Sequence, residues 1–163
     1  MGRFNFLKEY IFGDPKVKDI WNNKNVFFRL NHNDIHDYES KLGRKFPREL
    51  KDFFVEVGYG FLRCDVNDYI NRIMSPGDIF NFVYGINEFS NYERRSLYKN
   101  QNEMVFYEVS EDSYLTMDLS NENSNGECPV QYNGQKIADS LIDFIKRMNE
   151  QSDYYLGSAA DNT

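Results

Sequence analysis

The chain has 163 residues and a formal net charge of −7, from 26 Asp/Glu against 19 Lys/Arg, a length that suits one domain burying about two-thirds of its unfolded surface. Its 14 Phe, 12 Tyr and one Trp, at a mean hydropathy of −0.70, predict an aromatic-rich core with many tyrosine hydroxyls at the surface. The acidity is concentrated in residues 101–163, which hold 12 Asp/Glu against 3 Lys/Arg; this disfavours direct binding to nucleic acid or anionic membrane and suits a basic protein partner, although it also serves plain solubility.

In residues 1–25, Phe4, Leu7 and Ile11 share a helical stripe that ends at Gly13-Asp14-Pro15, which predicts a short lid helix within an N-terminal extension packed on the domain. VFFRL at 26–30 is a short strand or an extended lead. Two helices follow. Asn33 or Asp34 can accept the free N–H groups of the first, along which Ile35, Tyr38 and Leu42 fall at helical spacing before Gly43 stops it. Pro47 opens the second, with Leu50, Phe53, Phe54 and Val57 on one face before Gly58 and Gly60. The pair forms a helical hairpin with one apolar face.

Residues 58–78 predict a strand with loops, closed by a turn at Ser75-Pro76-Gly77-Asp78. Residues 78–91 mix aromatics with turn residues and suit a short helix or a strand. Residues 93–103 form a polar surface segment in which RRSLYK, 94–99, is the one basic cluster near tyrosines; it is too small for a single-stranded nucleic-acid groove. MVFYEV at 104–109 and SYLTMDL at 113–119 then predict an antiparallel hairpin across Ser110-Glu111-Asp112. CPVQYN at 128–133 is a third strand, Asn133-Gly134 a turn, and 136–149 a closing helix with Ile137, Leu141, Phe144, Ile145 and Met148 on one face. Residues 151–163 are expected to be a flexible tail. The order of these elements gives an α+β domain over 26–150, with a mainly antiparallel sheet covered by helices on one side.

Chemistry is sparsely written. His32 and His36 have an i, i+4 spacing, but Asn33 stands where a zinc protease carries its glutamate and no third ligand is in sight, so the pair reads as a solvated first turn. Cys64 and Cys128 form no CxxC pair and read as buried free thiols. Phosphate-binding glycine motifs and a nucleophile elbow are missing, and the carboxylates read as solvated faces. No cofactor, metal or catalytic residue is therefore expected. Without an export signal or an apolar run long enough to span a membrane, the cytoplasm is the expected compartment.

Taken together, Ile35, Glu39, Leu42, Gly43, Pro47, Leu50, Phe53 or Phe54, and Gly58 with Gly60 resemble the pattern of the SUKH superfamily, which includes bacterial immunity proteins against polymorphic toxins and a yeast cell-wall-synthesis regulator. The hairpin at 104–119, GECPV at 126–130 and ADSLIDFI at 138–145 are similar to the family's later part, so the resemblance covers about residues 30–148. Two features depart from the pattern: residues 1–25 have no counterpart, and Val57-Gly58-Tyr59-Gly60 replaces a common Asn-Gly-Gly turn. The resemblance implies a SUKH-like domain acting as a non-enzymatic cytoplasmic antitoxin that binds a cognate toxin, often a nuclease, and blocks its active site or substrate surface. A regulator or scaffold with an endogenous partner is the alternative, and a small hydrolase ranks last. Local charge density makes Glu111, Asp112, Asp118, Glu122 and Glu127 the candidate contact residues for a basic partner surface.

Overall fold

The computed structural model describes residues 2–156. Eight strands form one sheet whose spatial order is the chain order: β1 (Ile11–Phe12), β2 (Val26–Phe28), β3 (Tyr59–Phe61), β4 (Arg72–Ile73), β5 (Glu103–Ser110), β6 (Ser113–Asp118), β7 (Val130–Tyr132) and β8 (Gln135–Ala138). β1 and β2 are parallel; every other neighbouring pair is antiparallel. Helices α1 (His32–Leu42) and α2 (Arg48–Glu56) lie between β2 and β3, α3 (Pro76–Tyr84) lies between β4 and β5, and α4 (Leu141–Glu150) follows β8. This is the expected α+β architecture. The sheet is covered more completely than expected, because Met104 to Val109 of β5 are all buried. Six consecutive buried residues require cover on both faces of a strand.

The residues of the family pattern build the scaffold. Leu50 and Phe53 of α2 are fully buried and Ile35 of α1 nearly so; Phe53 takes the rings of Phe4 and Phe27 edge-on, at 5.2 and 5.7 Å between centroids. Leu42 is half-buried against the same core, and Gly43 caps α1 in the left-handed conformation. Glu39 acquires a clear role: its Oε2 accepts the buried Phe46 N–H at 2.8 Å and pairs with Lys51 Nζ at 3.1 Å, tying α1 to the following loop and to α2. Pro47 stands at the N-cap of α2. Gly58 and Gly60 have φ of +119° and +150° and pass so close to β2 that a Cβ would meet the carbonyl oxygens of Phe28 and Val26. Only glycine fits there.

Several elements differ from the sequence expectation. The cap of α1 is Asn31, whose side chain accepts the Asn33 N–H, so the helix begins earlier. Phe4 and Leu7 are buried, but the helix here is a 3-10 helix, Asn5–Tyr10, with Phe4 at its N-cap, and Ile11 belongs to β1. Ser75-Pro76-Gly77-Asp78 is a helix start: Ser75 Oγ accepts the Asp78 N–H, Asp78 returns a bond to the Ser75 N–H, and Pro76 opens α3. The closing helix begins at Leu141 because the Asn133-Gly134 turn feeds β8, which takes Ile137 into the sheet. Of the expected tail, residues 151–156 fold back, with Tyr155 buried and the Tyr154 hydroxyl donating to the Ile137 carbonyl at 2.8 Å. Residues 157–163 lie outside the described residues.

The start of α4 is held from the side by α2. Buried Glu49 accepts the N–H groups of Leu141 at 2.6 Å and Ile142 at 3.3 Å through its two oxygens, as a carboxylate satisfies a helix N-terminus. Burial nevertheless pushes its pKa up to about 7, against the two backbone donors; Glu127 adds to the rise and Arg3 opposes it.

Candidate protein-binding surface

Strand register assembles a site that spans the sheet. Phe61 pairs with Arg72, Arg72 with Glu108, and Glu108 with Tyr114, so four residues from β3 to β6 form one cross-strand row on a single face. Arg72 bonds Glu108 at 3.4 Å through Nη2 and Asp78 at 3.5 Å through Nη1. The Tyr114 hydroxyl donates to Glu108 Oε2 at 3.1 Å. Burial raises the Glu108 pKa, with Arg72 and Tyr114 opposing the rise; it raises Tyr114 as well, reinforced by Glu108.

Above this row the chain leaves a cleft of about 650 Å³. One wall is the α3–β5 connection, where a short 3-10 turn (Asn87–Phe89) and a second (Glu93–Tyr98) bring Glu88, Phe89 and Tyr92 forward. This connection is clamped by rings: Tyr114 lies 4.8 Å from Phe82, 5.4 Å from Tyr92 and 5.8 Å from Tyr98. The other wall is the hairpin tip, Glu111 and Asp112, which the Tyr92 hydroxyl joins through the Asp112 carbonyl at 3.1 Å. Burial, with Tyr98 next in effect, pushes Tyr92 up to about 12, so its hydroxyl stays protonated.

The charges here are unevenly matched. Arg72 is committed to Glu108 and Asp78. The carboxylates of Glu88, Glu111 and Asp112 are exposed and have no hydrogen-bond or ion-pair partner among the described residues. Three unpaired negative charges on an aromatic rim suit an ammonium or guanidinium group, which gains from carboxylates and ring faces together.

The five acidic residues selected from the sequence separate into two groups. Glu111 and Asp112 form the hairpin tip, whereas Asp118 lies at the far end of β6, paired with Glu103, about 20 Å away at the usual rise per residue. Asp118 is occupied locally: it accepts from the Ser120 N–H and hydroxyl at 3.1 and 2.6 Å and from Asn121 at 2.6 Å, and the Ser120 bonds hold its pKa below the usual carboxylate range. Glu127 is half-buried and braces its own loop through Asn123 and Asn125. Glu122 is exposed beside it. Sequence reasoning missed Glu88, Tyr92, Glu108 and Tyr114, which only strand register and the fold of the α3–β5 connection bring to the tip.

The other candidate chemistries gain no support from the fold. His32 and His36 lie on α1, and among the described residues no group of three or more His, Cys, Asp or Glu is arranged to hold a metal ion. Burial raises the thiol pKa of Cys64 to about 11 and that of Cys128 to about 12, the opposite of what a nucleophile needs. No helix among the described residues is long and apolar enough to cross a membrane.

An α+β domain whose opening helices and the strand after them carry the pattern from Ile35 to Gly60 has a known kind. The chain belongs to the SMI1 / KNR4 family (SUKH-1), which it matches over residues 29–147. It is 34% identical over 138 residues to Immunity protein YxxD of Bacillus subtilis (strain 168), a match covering 83% of this chain and 90% of that protein.

Proposed function

We propose that this protein is an immunity protein that neutralises a cognate protein toxin by binding it, without catalysis, in the cytoplasm of the cell that makes it. The observation that carries this reading is the similarity to Immunity protein YxxD, which covers 83% of this chain and 90% of that protein. The cleft between the hairpin tip and the α3–β5 connection supplies the contact: Glu88, Glu111 and Asp112 face outward as free charges beside Tyr92 and Phe89. A toxin that acts on nucleic acid must present a basic surface to its substrate, and an acidic protein can cover that surface and be steered to it.

The test is co-expression with the toxin encoded beside this protein. Rescue of growth and recovery of a stable complex are the expected results. Continued killing at full expression, with no complex recovered, refutes the reading for that pair.

A further inference from the structure

A second cavity, on the other side of the α3–β5 connection, has the opposite charge. Arg44 follows the end of α1, and Arg95 and Lys99 come from the basic segment 94–99; together with Leu42, Val83 and Tyr98 they line a cavity of about 610 Å³. That size is within the range of small-molecule sites. None of the three cations forms an ion pair among the described residues, although the chain as a whole has a net charge of −7.

Their protein hydrogen bonds leave most donors open. Arg44 donates through Nη1 to the carbonyls of Gln101 at 3.2 Å and Glu103 at 3.4 Å, and Arg95 donates through Nη1 to the Val83 carbonyl at 2.7 Å. The Nε and Nη2 groups of both side chains, and the Lys99 ammonium, have no protein hydrogen-bond partner among the described residues, the Arg95 guanidinium packing against Gly85. An Nε–Nη2 edge is the fork that grips two oxygens of one anion. Arg44 is also half-buried, and burial lowers its pKa, the cost of a cation held without a counter-charge.

Two of these cations stand at helix C-termini: Arg44 directly follows Gly43, the cap of α1, and Arg95 bonds the Val83 carbonyl in the last turn of α3. Each helix end carries about half a negative charge, so about two of the three positive charges remain unbalanced. That remainder matches the charge of about −1.5 to −2 on a phosphate monoester, which offers three acceptor oxygens.

We propose that this cavity binds a small phosphate monoester, with the phosphate on the open edges of Arg44 and Arg95 and on Lys99, and the organic part against Leu42, Val83 and the Tyr98 ring. The site is separate from the acidic cleft and does not depend on which toxin that cleft recognises.

The experiment is an NMR titration of the full chain, following backbone amides and arginine Nε–H signals. The ligands are inorganic phosphate and adenosine monophosphate, with acetate and sodium chloride at matched ionic strength as controls. Saturable shifts confined to Arg44, Arg95, Tyr98, Lys99 and their neighbours are expected with both phosphates. Adenosine monophosphate should bind about tenfold more tightly, through contact with the Tyr98 ring. Arg95→Gln and Lys99→Gln should each weaken phosphate binding about tenfold, as loss of a charged hydrogen bond does. Lys99→Gln is the safer variant, since its side chain is exposed and caps nothing. The proposal is overturned if phosphate does no more than chloride at equal ionic strength, or if the Arg95→Gln/Lys99→Gln double variant binds phosphate as tightly as the parent. Equal affinity for phosphate and adenosine monophosphate would overturn the ester and leave only a free-phosphate site.

Discussion

Glu49 offers the sharpest test of how the fold is held together. Its carboxyl is fully buried between α2 and the first turn of α4, and burial pushes its pKa from an ordinary 4.5 up to about 7. A carboxyl whose folded pKa is raised binds its proton more tightly in the native state. Its contribution is therefore fully present below pH 4.5 and is lost as the pH rises through about 7. Across that window the linkage amounts to about 3 kcal/mol. Glu49→Gln keeps an acceptor oxygen for the Leu141 N–H and removes the titration. Urea unfolding of both proteins at a series of pH values isolates the effect, because the other carboxylates cancel in the difference. The stability of the parent relative to Glu49→Gln should fall by about 3 kcal/mol between pH 4.5 and a pH above 7. A difference that stays flat with pH refutes the reasoning: Glu49 would then be ionised throughout, its two backbone donors outweighing its burial.

Other expectations follow from the same packing. Glu39→Ala leaves the buried Phe46 N–H without its acceptor and should cost about 1–3 kcal/mol in urea unfolding, nearly all of it from that amide, since the Lys51 end of the ion pair is partly exposed. Gly58→Ala combines a positive φ with a collision against the Phe28 carbonyl and should cost at least about 2 kcal/mol by the same measurement. Removing everything after Glu150 takes Tyr155 out of the core and should destabilise by about 3–5 kcal/mol, as deletion of a buried aromatic side chain does; an unchanged unfolding midpoint would mean that 151–156 is dispensable after all. At the surface, reversing Glu88, Glu111 and Asp112 to lysine should slow toxin association about tenfold or more at low salt and flatten its salt dependence. Reversing Glu122 and Glu127 should do much less. The opposite ranking, read by stopped-flow mixing, would move the interface to the far end of the hairpin.

The elements legible from the sequence are those whose signals are local. Helical spacing from Ile35 to Leu42 and from Leu50 to Val57, the stop at Gly43, Pro47 at the second start, and the β-rich runs flanking Glu111-Asp112 all depend on residues within a turn or a strand of one another. Where two local signals competed, the sequence misled. Ser75-Pro76-Gly77-Asp78 suits a turn as well as a capped helix start, and packing of Ile79 and Phe82 into the core decided for the helix. Ile137 fits the apolar face of the closing helix, yet strand pairing through the Asn133-Gly134 turn claimed it for β8.

The sequence by itself determined the fold family, the net acidity of the chain, and the hairpin whose tip carries Glu111 and Asp112. Tertiary structure alone decided what surrounds that tip. The row from Phe61 to Tyr114 needs the register of four strands, and a bulge between Glu108 and Ser110 shifts the alternation so that Glu108, in place of Val109, faces Tyr114. Glu88 and Tyr92 arrive from a connection whose path is set by ring contacts with Tyr114. The same connection brings Arg95 and Lys99 to Arg44, some fifty residues earlier in the chain. Contacts at that separation form when the core closes, and no periodicity in the sequence encodes them.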